Sequence, residues 1–191
     1  MRSITSGTWP TMVTPYTDEN KVDHETLDKL VEWYIERKVD GMFAVCQSSE
    51  MYYLDLEERV YTASRIVKAT AGRVQVIGSG HISDSESDQI EELNRMADTG
   101  IAALVLLTNH FTPEDGTDDQ WKLVCERLLS KLPEAMPLGL YECPFPYKRL
   151  MSPELLRWCA DTGRFIFLKD TSCDPDSIQA KINAVEGTPL K

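Results

Sequence analysis

The chain has 191 residues, which suits one ordinary domain with a sizeable core. Its 42% hydrophobic and 27% charged residues exclude a disordered or fibrous chain, and no apolar run is long enough to span a bilayer, so no membrane partner is expected. A net charge of −11 repels phosphate and argues against nucleic acid as a partner.

Taken in order, short apolar runs alternate with amphipathic stretches. Strands are expected at 8–13, 41–45, 74–78, 102–107, 137–141 and 165–169, with helices near 24–37, 56–70, 85–99, 117–132, 152–162 and 175–185. Leu27, Leu30, Val31, Tyr34 and Ile35 fall on one face of the first helix. Asp23 is placed to cap it, Ser83 or Ser85 to cap the third, with Ser83 and Glu86 at capping-box spacing, and Ser152 followed by Pro153 to start the fifth. Gly41, Gly72, Gly100 and Gly163 lie near helix ends, where a left-handed residue stops the turn.

Strict strand–helix alternation calls for parallel strands joined by right-handed crossovers. The nearly continuous apolar strands suit a sheet covered on both faces. Neither GxGxxG nor GxxxxGK[ST] follows a strand, so a nucleotide site loses weight. The expected fold is α/β, of the (β/α)8 TIM-barrel type, with about the first six βα units present as a single incomplete domain over residues 1–191. The sequence stops where a seventh strand would begin, so the parent chain is expected to continue past Lys191.

The opening Met1-Arg2-Ser3-Ile4-Thr5-Ser6-Gly7 has no apolar signal core, so a cytoplasmic location is the default expectation. Cys46, Cys125, Cys143, Cys159 and Cys173 are scattered and odd in number, and no pair has CxxC spacing. Reduced structural thiols are expected, and neither these nor the dispersed His24, His81 and His110 suggest a metal site.

In this architecture ligands meet the carboxyl ends of the strands. Those ends hold Gln47-Ser48-Ser49-Glu50, Thr108-Asn109-His110-Phe111, Tyr141-Glu142-Cys143-Pro144 and Lys169-Asp170-Thr171-Ser172. Lys169 has two readings: an ammonium that snorkels into water, or a half-buried neutral amine able to attack a carbonyl. Ser48 and Ser49 form either an ordinary turn or a nest for a carboxylate. Tyr141 is either a core aromatic with a wet hydroxyl or a proton shuttle beside Lys169. Glu50 is a possible general base but better suits setting the turn, and His110 is as much a rim residue as a catalyst. The acidic run from Glu114 to Asp119 reads as a solvated loop and helix start.

Together these segments resemble the dihydrodipicolinate synthase/N-acetylneuraminate lyase family of class I, Schiff-base aldolases. The likeness runs through 8-TWPTMVTP-15, through Gln47-Ser48-Ser49-Glu50, through Tyr141 followed by Pro144, and through Lys169-Asp170-Thr171-Ser172, all in family order. It implies a barrel that is often oligomeric, a dimer or tetramer, with no cofactor. It also implies a carbon–carbon lyase or aldolase acting on pyruvate or a related 2-oxo acid. Lys169 would then form the imine and Tyr141 would carry protons. Ser48, with the backbone at Gln47 and Ser49, would hold the substrate carboxylate, and Thr171 would contact the rest of the substrate. Gln47 replaces the usual hydroxyl residue, Ser49 a glycine, Phe111 a second tyrosine, Pro146 an arginine and Cys173 a glycine. These departures point away from lysine biosynthesis and toward a divergent aldolase. They also leave two alternatives, a non-catalytic 2-oxo acid binder on the same fold and a non-functional fragment of a larger barrel.

Overall fold

The computed structural model describes residues 4–191. Helices α1 (His24–Glu36), α2 (Leu56–Thr70), α3 (Glu86–Ala97), α4 (Asp118–Leu129), α5 (Pro153–Asp161) and α6 (Pro175–Ala184) alternate with strands β1 (Gly41–Phe43), β2 (Gln75–Gly78), β3 (Ala103–Leu107), β4 (Leu138–Tyr141) and β5 (Phe165–Lys169). All five strands pair in parallel and in sequence order. Consecutive parallel neighbours with a helix in every crossover give the curled half of a barrel.

Local chemistry accounts for the helix starts. The carboxylate of Asp23 accepts from Thr26 N–H at 3.0 Å. The Ser152 hydroxyl accepts from Leu155 N–H at 3.1 Å, and Pro153 at the first helical position has no N–H to leave unpaired. At α3 the cap is Ser85, which accepts from Asp88 N–H at 3.1 Å. The expected Ser83–Glu86 box does not form, because Glu92 claims the hydroxyl and N–H of Ser83.

The first expected strand, 8–13, is the main correction to the sequence reading. It makes one parallel bridge, Thr11 to Phe43. The carbonyls of Thr8 and Pro10 accept from β1, and Met12 N–H donates to Phe43. Pro10 has no N–H, so the donor series is broken and no full strand develops. Gly41 is a second correction: it opens β1, and Lys38, at φ 60°, ends α1 instead.

The core runs through the sheet. Every residue of β3 is buried, as are Met42, Phe43, Leu138, Leu140 and Phe165 on its neighbours. Trp121 of α4 is fully buried and donates its indole N–H to the Thr108 carbonyl at 2.8 Å, which pins α4 to the carboxyl end of β3. Between α2 and α3 the buried pair Arg59–Glu92 closes at 2.6 Å. Two turns of 3-10 helix, Gln47–Ser49 and Thr108–His110, follow β1 and β3 and carry polar groups to the end of the sheet where β5 delivers Lys169.

Candidate active site

The register between β4 and β5 pairs Tyr141 with Lys169. Paired residues on parallel strands lie side by side on one face. The Lys169 amine accordingly sits 3.8 Å from the centre of the Tyr141 ring. Burial holds this amine below the ordinary lysine range, and the thiols of Cys46 and Cys143 oppose that shift without reversing it. Burial likewise pushes the Tyr141 phenol above its usual value. At neutral pH the pair is thus a more readily deprotonated amine beside a firmly protonated phenol.

The turn after β1 approaches the same place. Gln47 Oε1 accepts from the Tyr141 hydroxyl at 3.3 Å and from the Cys143 thiol at 3.7 Å. The Ser48 hydroxyl reaches Thr11 Oγ1 at 3.3 Å. Ser49 turns inward: its hydroxyl meets the carbonyls of Met12 (2.7 Å) and Ala44 (2.5 Å), and its N–H donates to Cys46. As the first N–H groups of a 3-10 turn, those of Gln47 and Ser48 have no intrahelical partner. Glu50 takes φ 59°, ends the turn, and is exposed.

Thr171 is brought close but tied down. Its hydroxyl donates to the Glu142 carbonyl at 2.6 Å and its N–H to the Glu142 carboxylate at 3.0 Å. Glu142 is fully buried, accepts from Met151 N–H at 2.8 Å, and pairs with Lys181 at 2.5 Å. Lys181 also reaches Asp170 at 2.6 Å. Burial would raise the Asp170 carboxyl, but Lys181 and Ser172 outweigh it and hold it below the usual carboxylate range.

This ionic knot, behind the ends of β4 and β5, was missed by sequence reasoning. Its signal was present: Glu142 lies between Tyr141 and Cys143 at a buried strand end, where a carboxylate needs a cation. Lys181 lies at helical spacing between Ile178 of α6 and Val185, the residue that caps that helix.

On the β2–β3 side, His81 is fully buried. Its Nε2 accepts from Leu107 N–H at 2.5 Å, and burial pushes its pKa down to about 3, so the ring is neutral. His110 packs 5.5 Å from it, ring centre to ring centre. Tyr52 lies within 3.3 Å of His110 Nε2 and 3.8 Å of the Cys143 sulfur, and donates to the Phe145 carbonyl at 2.7 Å. Among the described residues, no group of three His, Cys, Asp or Glu is placed to hold a metal ion, and no helix is long and apolar enough to cross a membrane.

Comparison with known proteins places this geometry among others. The model of the dihydrodipicolinate synthetase family matches residues 5–186. A 4-hydroxy-tetrahydrodipicolinate synthase of Shewanella sp. (strain ANA-3) is 28% identical over 177 residues, covering 91% of this chain and 58% of that protein. Dihydrodipicolinate synthase from Bacteroides thetaiotaomicron superposes with a TM-score of 0.87 at 25% identity, over 100% of this chain and 63% of that one. The Acinetobacter baumannii enzyme, solved with pyruvate, gives 0.85 at 25% identity, over 95% and 60%. The chain thus spans about three fifths of the length of these relatives.

Proposed function

The chain belongs to the dihydrodipicolinate synthetase family, and on that premise we propose that it is a carbon–carbon lyase or aldolase that takes pyruvate or a related 2-oxo acid through an imine on Lys169. The observation that carries this reading is the half-buried amine of Lys169 against the Tyr141 ring, with the Tyr141 hydroxyl bonded to the turn after β1.

Each step of the proposed reaction is assigned to a residue of this site. The N–H groups of Gln47 and Ser48 and the Ser48 hydroxyl bind the substrate carboxylate, an arrangement suited to anions. Ser49 shapes that turn from inside. The carboxylate so held sets the 2-oxo carbon before the Lys169 nitrogen. The neutral amine attacks, water leaves, and a protonated imine forms. That imine draws electrons from the bond to be broken, or from a C3–H bond, and Tyr141 moves the proton. Thr171, locked to Glu142, holds the loop after β5 in place. The Acinetobacter enzyme's pyruvate complex supports a 2-oxo acid as the small-molecule partner. A homo-oligomer, dimer or tetramer, is part of the same proposal.

The test is borohydride reduction of the protein in the presence of pyruvate, followed by peptide mass spectrometry. A reduced adduct on Lys169 is expected, and its absence overturns the catalytic reading. One observation favours a second reading, a binder without turnover: the Tyr141 hydroxyl meets an amide, Gln47, which does not relay protons as a hydroxyl does. Calorimetry separates the two. Pyruvate affinity that survives Lys169→Ala unchanged, with no adduct in the parent, selects the binder.

A further inference from the structure

Tyr141 needs somewhere to send a proton, and its bonded partner Gln47 does not pass one on. A second line of groups leads away from the same spot. The Cys143 thiol shares the Gln47 Oε1 acceptor with the Tyr141 hydroxyl, so the two donors lie side by side. The Tyr52 hydroxyl is 3.8 Å from the Cys143 sulfur and 3.3 Å from His110 Nε2. His110 in turn lines a cleft of about 300 Å³ with Asp84, Asn109 and Tyr147.

We propose that Cys143, Tyr52 and His110 form a proton-relay path from Tyr141 to the surface, replacing a route through the turn after β1. The proposal rests on the imine reading above.

The step balances. The C3–H bond of the Lys169 iminium breaks, its electron pair becomes the C2–C3 double bond, and the C=N pair returns to nitrogen. The released proton goes to the Tyr141 oxygen as the Tyr141 O–H proton passes to the Cys143 sulfur. The thiol proton passes to the Tyr52 oxygen, and the Tyr52 O–H proton, swung from the Phe145 carbonyl, passes to His110 Nε2. Tyr141, Cys143 and Tyr52 end as they began, and His110 ends as imidazolium. The return flow protonates the enamine.

The surroundings suit each role. Burial raises the pKa of Tyr141, Cys143 and Tyr52, so all three hold a proton to hand on. Bonds from Tyr52 and Tyr141 lower the Cys143 thiol in part, which is the effect of hydroxyls on both its sides. Burial also lowers His110, leaving its ring unprotonated and ready to accept. Asp84, Glu92 and the Ser83 backbone favour the imidazolium once formed. Neighbouring His81 is neutral and adds no opposing charge.

The test follows loss of the C3 protons of pyruvate in deuterium oxide by NMR, alongside borohydride trapping of the same samples. Trapping reports the imine and a folded site, and exchange reports the relay. Tyr52→Phe and His110→Asn are expected to slow exchange by about tenfold or more while trapping at Lys169 is retained. Cys143→Ala is expected to behave likewise, and Cys143→Ser to keep most of the exchange, because a hydroxyl also relays. A packing role for Cys143 predicts no advantage for serine over alanine, and that result removes the thiol from the path. Parent-like exchange in Tyr52→Phe and His110→Asn, with the adduct present, overturns the relay and leaves the imine standing. No adduct and no exchange in the parent overturns both.

Discussion

Lys169 and Lys181 stand in opposite settings on neighbouring elements, one ending β5 and one buried in α6. Lys181 faces two carboxylates, Glu142 and Asp170, which pair with it at 2.5 and 2.6 Å. Lys169 faces an aromatic ring and the thiols of Cys46 and Cys143, and burial depresses its pKa. The difference teaches that burial alone does not make a lysine reactive. What decides the outcome is whether a carboxylate shares the buried space, since a paired ammonium is held as a cation and an unpaired one is pushed toward the free amine.

Four experiments bear on that contrast. The largest effect belongs to Lys169→Arg, which keeps a cation but cannot form an imine. Borohydride trapping and C3 exchange should fall to background, and residual trapping at another lysine breaks the contrast. Next is Lys181→Met, which strands the fully buried Glu142 carboxylate. Urea unfolding should show a loss of roughly 3–5 kcal/mol, the usual result of removing one partner of a buried pair. Adding Glu142→Gln should recover part of it. A loss under about 1 kcal/mol would mean that water reaches the knot.

The third experiment is a pH series. Only the neutral amine attacks a carbonyl, so the trapping rate should climb with pH and level off below the 10.5 of a free lysine, because the folded pKa is lowered. A plateau at or above that value would remove the role of burial. Lys181 should stay unmodified throughout while the protein is folded. Asp170→Asn is the smallest change. Its carboxyl is partly exposed and Glu142 remains, so a loss of about 1 kcal/mol is expected by thermal unfolding. The folded Asp170 pKa is depressed, so its contribution is complete above the unfolded carboxyl pKa and fades as pH falls through the folded one. In Asp170→Asn that acid-side loss should be smaller.

Much of this was legible in the sequence because it is written in local patterns. Asp23 and Ser152 cap where their side chains dictate, and the apolar runs at β3 and β5 are strands because they are buried on both faces. The alignment of Lys169 with Tyr141 followed from reading strand ends, although the register itself is set by packing: Gly139 leaves room for the Phe167 ring, which would lie 2.0 Å from any Cβ there. What was not legible depends on distant partners. Whether Ser83 or Ser85 caps α3 turned on Glu92, several residues further along the chain. The fate of segment 8–13 turned on one missing N–H at Pro10. The knot of Glu142, Asp170 and Lys181 joins β4, the loop after β5 and α6, which no single window of sequence contains.

One glycine links the two ends of the sheet. A Cβ on Gly41 would lie 2.3 Å from the Trp9 ring, so this residue is an empty seat that the indole fills. Trp9 anchors the segment whose Thr11 meets Ser48 and whose Met12 carbonyl receives the Ser49 hydroxyl. Gly41 therefore acts as the fulcrum of a short lever with its load at the carboxylate turn. A methyl group there would shift the turn without touching it, and Trp9 fluorescence would register the movement.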